Sequence, residues 1–153
     1  MSNIVVRTAT LNDLEVLLAF EQKIIEAEKP FDCTLKDEKF HYYNLEDHIL
    51  RVDAEVVVAV VNDEVVGSGF ARIEIAKPFL KQGKFGHLGF MYVMPEHRGK
   101  GVNSLIINAL IDWCKQQKLS EIRLEVYNEN SSAIKAYEKT GLKPLIMQMR
   151  YIG

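Results

Sequence analysis

Apolar side chains recur along the chain with two different periods, and the switches between them divide it into elements. Ile4, Val5 and Val6 form a short β-branched run that predicts a strand over residues 4–7. Thr10 and Asp13 mark a helix start, a hydroxyl able to cap free N–H groups and an acid near the positive end of the helix dipole. Leu14, Leu17, Leu18 and Glu21 follow at helical spacing, and the helix is expected to run to Glu28, with Pro30 interrupting the pattern. Residues 31–53 are polar with scattered aromatics (Phe40, Tyr42, Tyr43) and leave room for one short helix, over 45–50. Residues 55–61 and 64–75 are β-branched runs on either side of Asn62 and Asp63, which tolerate positive φ, so they read as a β-hairpin.

The second half is more regular. Residues 77–84 contain Pro78 and Gly83 and read as an exposed connection, and residues 86–93 as a further strand. Val102, Leu105, Ile106, Ala109, Leu110 and Trp113 then form one apolar stripe of a helix over 101–117, with Cys114 beside the stripe as a core residue. A strand over 122–127, a helix over 131–140 ended by Gly141, and a last strand over 145–152 complete the pattern. Alternating strands and helices predict an α/β or α+β sheet with helices on both faces. Without an internal repeat or a Pro/Gly/Ser-rich linker, the chain reads as a single domain over residues 1–153.

Composition narrows the functional classes. The chain has 153 residues, 48% of them apolar and 26% charged, enough for about one hydrophobic core. Its longest apolar run, residues 56–61, is six residues, against the roughly 20 needed to cross a bilayer. No membrane partner is expected, and the first seven residues do not resemble a secretory signal, so a cytoplasmic location is expected. A net charge of −2 argues against nucleic-acid binding. Residues 1–50 carry ten acids against five bases and the remainder eleven against fourteen, which suits a cationic ligand on the early part and an anionic one on the later. Cys33 and Cys114 lie far apart, suggesting neither a disulfide scaffold nor a metal site.

The candidate chemistry lies in residues 92–104, where a strand breaks into a glycine-bearing turn and opens a helix. Free N–H groups at a helix start form an anion site, and glycines remove side chains that would hold a phosphate away. Arg98 and Lys100 add positive charge beside Gly99 and Gly101, so a pyrophosphate is the natural guest. A P-loop would need Ser or Thr directly after Lys100, where Gly101 stands, and the dinucleotide fingerprint would need glycine at Ser104.

Arg98, Gly99, Lys100, Gly101, Val102 and Asn103, following a strand, resemble the signature of the GNAT superfamily of acetyl-CoA-dependent N-acetyltransferases: Arg or Gln, two residues, Gly, one residue, then Gly or Ala. Asn103 departs from the last position. The second matching block runs from Leu124 to Leu142, a strand, a helix capped by Asn130, and Tyr137, Glu138, Lys139 and Gly141 at its end.

The resemblance implies a GNAT fold, with a mixed, mostly antiparallel, splayed sheet, and acetyl-CoA as co-substrate. The pantetheine arm would pair with backbone at Met91, Tyr92 and Val93, and the pyrophosphate would meet Arg98, Gly99, Lys100, Gly101, Val102, Asn103 and Ser104. Asn130 and Tyr137 would also contact the cofactor, with Tyr137 as acid for the departing thiolate. Backbone N–H near Tyr92 or Val93 would polarise the thioester. The acceptor, a small-molecule, peptide or protein amine, would enter past Glu28, Asp32, Tyr42 and Tyr43, and a homodimer is compatible with the family. The base is open: Phe90 stands where many members have a carboxylate, and Glu74, His87, a water relay or no base at all are the alternatives. Direct attack in a ternary complex is the expected reaction. The alternative is a non-catalytic acyl-CoA-binding or partner-binding module.

Overall fold

The computed structural model describes residues 3–153. Its strands are β1 (Ile4–Thr8), β2 (Ala54–Val61), β3 (Glu64–Ile75), β4 (Lys84–Val93) and β5 (Ile122–Arg123). Its helices are α1 (Leu14–Glu28), α2 (Leu45–Leu50), α3 (Val102–Gln116) and α4 (Ser131–Lys139). The strands form one sheet in the order β1-β2-β3-β4-β5, antiparallel except for the parallel pair β4 and β5. Asn62 and Asp63 take φ of 50° and 64°, the left-handed turn expected between β2 and β3.

Side-chain alternation divides the core into two layers. Leu17, Phe20 and Ile24 of α1 bury against Val56, Val58, Phe70 and Phe90 on one face, and Leu45 of α2 joins them. On the other face Val102, Ile106, Ile107 and Leu110 of α3 cover Val57, Ala59, Ala71 and Leu88. Here α3 lies on bare backbone. A Cβ at Gly69 would stand 2.7 Å from Ile106 Cγ2, and one at Gly67 3.0 Å from Ile106 Cδ1.

Two irregularities open the sheet. Ser68 pairs with Tyr92 and Phe70 with Gly89, so Phe90 and Met91 of β4 together face the single Gly69 of β3, a β-bulge. Phe90 adopts φ of 62° there, a left-handed conformation costing an aromatic residue about 1–3 kcal/mol. Its ring is buried against Tyr43 and Phe70, and its carbonyl accepts from the buried Ser68 hydroxyl at 3.1 Å. Beyond the pairs of Gly86 with Ile122 and His87 with Arg123, β4 and β5 share no ladder, and the sheet splays.

The strand expected over 122–127 is therefore a two-residue ladder. The strand expected over 145–152 does not form, because no strand among the described residues offers it a ladder, and its apolar side chains face solvent. β4 starts at Lys84, two residues earlier than its pattern suggested.

Candidate active site

The turn between β4 and α3 holds the first half of the site. Gly99 and Gly101 have φ of 74° and 85°, and a Cβ on either would meet nothing within 4 Å. The backbone there is open to a ligand, and Gly101 is the N-cap of α3 with its following N–H groups free for an anion. A cleft of about 410 Å³ lies over this helix start, lined by His97, Gly99, Gly101, Asn103, Ser104 and, across it, Ser132, Lys135 and Lys139 of α4. This donor set of glycine backbone, hydroxyls and cations fits the pyrophosphate of a coenzyme. Val102 is buried in the core and offers only its backbone. Arg98 donates its Nε to the Val93 carbonyl at 2.8 Å and stacks over Tyr92 at 5.7 Å, so its remaining guanidinium N–H groups are carried on a fixed stem. Lys100 is exposed beside it. A smaller hollow of about 160 Å³, lined by Ala76, Lys81, Gln82, Phe85, Glu121 and Arg123, includes no helix N-terminus.

The gap between β4 and β5 is the second part. The bulge at Phe90 breaks the alternation, leaving Met91 and Val93 on the α3 face and Tyr92, packed on Phe20 at 4.7 Å, on the α1 face. Tyr137 of α4 packs against the α3-side core, and its phenol is pushed up to about 12 by burial and then by the negative charge of Glu28. The Glu28 charge is thus felt at Tyr137. Glu28 ends α1 on one face of the sheet, and Tyr137 packs in the helix layer on the other. Asn130 caps α4, accepting from Ala133 N at 3.3 Å.

The wall beyond the gap is aromatic and acidic. Burial raises the Glu28 carboxyl above its ordinary value, and its charge acts on Tyr42, Tyr43, Tyr127 and Tyr137 alike. The Tyr42 hydroxyl is buried without a partner at good hydrogen-bond geometry among the described residues, and Glu28 stands near enough to be only a loose acceptor. Asp32 is fully engaged: Oδ2 accepts from Tyr127 Oη at 2.8 Å, and Oδ1 from Thr34 N, Thr34 Oγ1 and Arg150 Nη1. These donors hold its carboxyl far below the usual range, and Asp32 thereby fixes the wall. Phe31 stacks on Tyr127 at 6.0 Å.

Sequence reasoning missed Glu21. Its fully buried carboxylate accepts from the Tyr42 and Tyr43 N–H groups at 2.8 and 2.9 Å, and lies 2.6 Å from His41 Nδ1. It pins the tyrosine segment to α1, and the available signal was an acid placed on the buried stripe. Tyr127 and Arg150 were also missed, since neither stands out from its local pattern.

Glu74 lies elsewhere, whereas His87 belongs to the last residue pair joining β4 to β5, at the start of the gap. Glu74 is opposite Phe85 and bonded to Arg72 Nε at 2.8 Å. Phe85 and Phe90 are five positions apart, roughly 17 Å of strand. His87 is opposite Arg72, and burial followed by that positive charge lowers its imidazole below the ordinary value. No helix of the described residues is long and apolar enough to cross a membrane, and no cluster suited to a metal is present among them.

Residues 21–142 match the model of the acetyltransferase (GNAT) family. An N-alpha-acetyltransferase of Sulfurisphaera tokodaii is 30% identical over 151 residues, covering 95% of this chain and 84% of its own. A mutant protein from Bacillus halodurans has the same fold, with a TM-score of 0.87 at 21% identity over 97% of this chain and 98% of its own. A protein of Clostridium acetobutylicum solved with acetyl-CoA superposes with a TM-score of 0.71 at 16% identity, covering 98% and 96% of the two chains. With the glycine-lined helix start and the splayed sheet, this similarity makes the chain a member of the GNAT family of acetyltransferases and an acyltransferase of that type.

Proposed function

We propose that the protein transfers acetyl from acetyl-CoA to a primary amine by direct attack within a ternary complex. The observation that carries this reading is the glycine-lined N-terminus of α3, faced across the cleft by Lys135 and Lys139 and lying beside a sheet that splays between β4 and β5. A carboxylate on the acceptor side and a phenol on the coenzyme side supply the two proton transfers that the reaction requires. The relative's name puts peptide α-amino groups first among the acceptors to test.

Bound acetyl-CoA supplies the acetyl group and a thiolate leaving group. The Gly99 to Ser104 backbone, Lys135 and Lys139 hold its pyrophosphate, with Arg98 and Lys100 adding charge. Glu28 holds the ammonium among the tyrosine rings and accepts its proton, a task its raised value suits better than an ordinary carboxylate would. Backbone N–H groups released by the bulge at Phe90 are the donors for the developing oxyanion. Tyr137, protonated until about 12, supplies the proton to the departing sulfur. Transfer from so weak an acid to a thiolate of about 8.5 is uphill, so it must be concerted with bond cleavage. Cys114 takes no part, because burial raises its thiol to about 11 beneath the sheet.

The test is amine-dependent release of free thiol from acetyl-CoA across peptide N-termini, polyamines, amino sugars and lysine peptides. Turnover with at least one amine is expected. Tight acetyl-CoA binding with no turnover on any of them would favour the non-catalytic binding module instead.

A further inference from the structure

The end of the sheet opposite the coenzyme cleft gathers large apolar side chains in water. Ile73 N–H donates to the Asp53 carbonyl at 2.9 Å and Ile75 pairs with Lys84, so the turn after α2, the end of β3 and the loop over 76–83 lie together. Leu50, Val52, Ile75 and Phe79 at this end are 63–97% exposed. The loop is braced rather than slack. Ala76 N–H closes it on the Gly83 carbonyl and Leu80 N–H on the Lys77 carbonyl, both at 3.0 Å, and Leu80 lines the small hollow beside Phe85 while Phe79 stands in solvent.

Charge at the same end has one sign left over. Residues 76–86 carry Lys77, Lys81 and Lys84 and no acid. The C-terminus of α3 lies over β4, where a Cβ at Gly86 would meet Cys114 Sγ at 2.6 Å, and this brings Lys115 and Lys118 alongside. Asp53, Glu74 and Glu121 are each held by an arginine, Arg51, Arg72 and Arg123 in turn. The five lysines are exposed and make no ion pair among the described residues. We infer that this end docks on an anionic lipid surface, with the apolar tips entering the headgroup layer and the lysines meeting the lipid charges. Shape selects this occupant. Three of the four tips are aliphatic and offer no ring on which a base could stack, and all four stand in turns or at the ends of elements rather than along a groove that would seat a peptide. The contact is peripheral, since no helix of the described residues is long and apolar enough to cross a bilayer. β4 is ten residues long, so the coenzyme cleft beyond Val93 opens about 30 Å from the docked end and stays in water.

Co-sedimentation of the full chain with lipid vesicles tests this. The protein is expected to bind vesicles of equal parts phosphatidylcholine and phosphatidylglycerol, to ignore phosphatidylcholine alone, and to be released as salt is raised. Lys77→Glu and Lys81→Glu together should lower the partition at least about 10-fold, and Phe79→Ser several-fold, with acetyl-CoA affinity by calorimetry unchanged in each. Val52→Ser, on a different segment of the same end, should act like Phe79→Ser and covers the case in which a loop variant fails to fold. No partition into the anionic vesicles overturns the proposal. So does partition that Phe79→Ser and Val52→Ser both leave unchanged, since the apolar tips would then take no part. Tighter binding to single-stranded polyuridylate than to the vesicles at the same salt also overturns it, because the lysines would then belong to a nucleic-acid surface.

Discussion

Burial holds the Glu28 carboxyl above the ordinary carboxylate value, and the loose approach of Tyr42 offsets this only in part. The native state therefore binds this proton more tightly than the unfolded chain does. The group's stabilising contribution is present in acid and is lost as pH rises through the raised value. Glu28→Gln should accordingly raise Tm at neutral pH, measured by calorimetry, while lowering kcat/KM by about 10²- to 10⁴-fold. It should also abolish the acid limb of the pH profile, which in the native enzyme lies above the usual 4.3 or so. A loss of both stability and activity would mark Glu28 as merely structural. For Tyr137 the shift is also upward, to about 12, so the phenol keeps its proton through the neutral range and no alkaline loss of activity near pH 10 should come from it. Tyr137→Phe should lower kcat by about 10- to 1000-fold, with acetyl-CoA affinity by calorimetry within a few-fold.

Among the elements, α3 depends most on a single backbone position. Gly101 occupies φ of 85° at its N-cap, so Gly101→Asp adds left-handed strain, bulk and negative charge where the pyrophosphate approaches. Acetyl-CoA affinity should fall at least about 10-fold in calorimetry, while the helix survives on its buried stripe. This turn was legible in the sequence because glycine, charge and helix start lie within a few consecutive residues. So were α1, α3 and the β2–β3 hairpin, whose periodicities are local. The segment 145–152 was misread for the opposite reason: its composition has strand character, but a ladder needs a neighbour, and the pattern cannot say whether one exists. The influence of the Glu28 charge on Tyr137 was equally hidden, since the two residues belong to elements far apart in sequence. Glu21 was visible as an acid among Leu14, Leu17 and Leu18, but not as the acceptor for Tyr42 and Tyr43.

At the scale of the whole molecule, the sheet separates two chemistries that must meet at one opening. The α3 face presents glycine backbone and lysines to an anion, and the α1 face presents a carboxylate and tyrosines to a cation. The charge asymmetry along the sequence, acidic before residue 50 and basic after it, is the linear trace of this division. The distance between the two half-sites is set far from both, where α3 rests directly on the backbone of β3. Gly69→Ala would place a methyl group 2.7 Å from Ile106 Cγ2 and 3.0 Å from Leu110 Cδ1. Overpacking of this kind costs about 1–3 kcal/mol, and some of it is relieved if the helix lifts. A fifteen-residue helix is a rod about 22 Å long, so a lift near its middle is carried to its N-terminus. The Kd for acetyl-CoA should rise several-fold in Gly69→Ala with the acceptor wall unaltered, a calorimetric change caused by a residue no ligand touches. The absence of two side chains on β3 thus acts as a calibrated spacing, in which one added carbon beneath a helix is read as affinity at its far end.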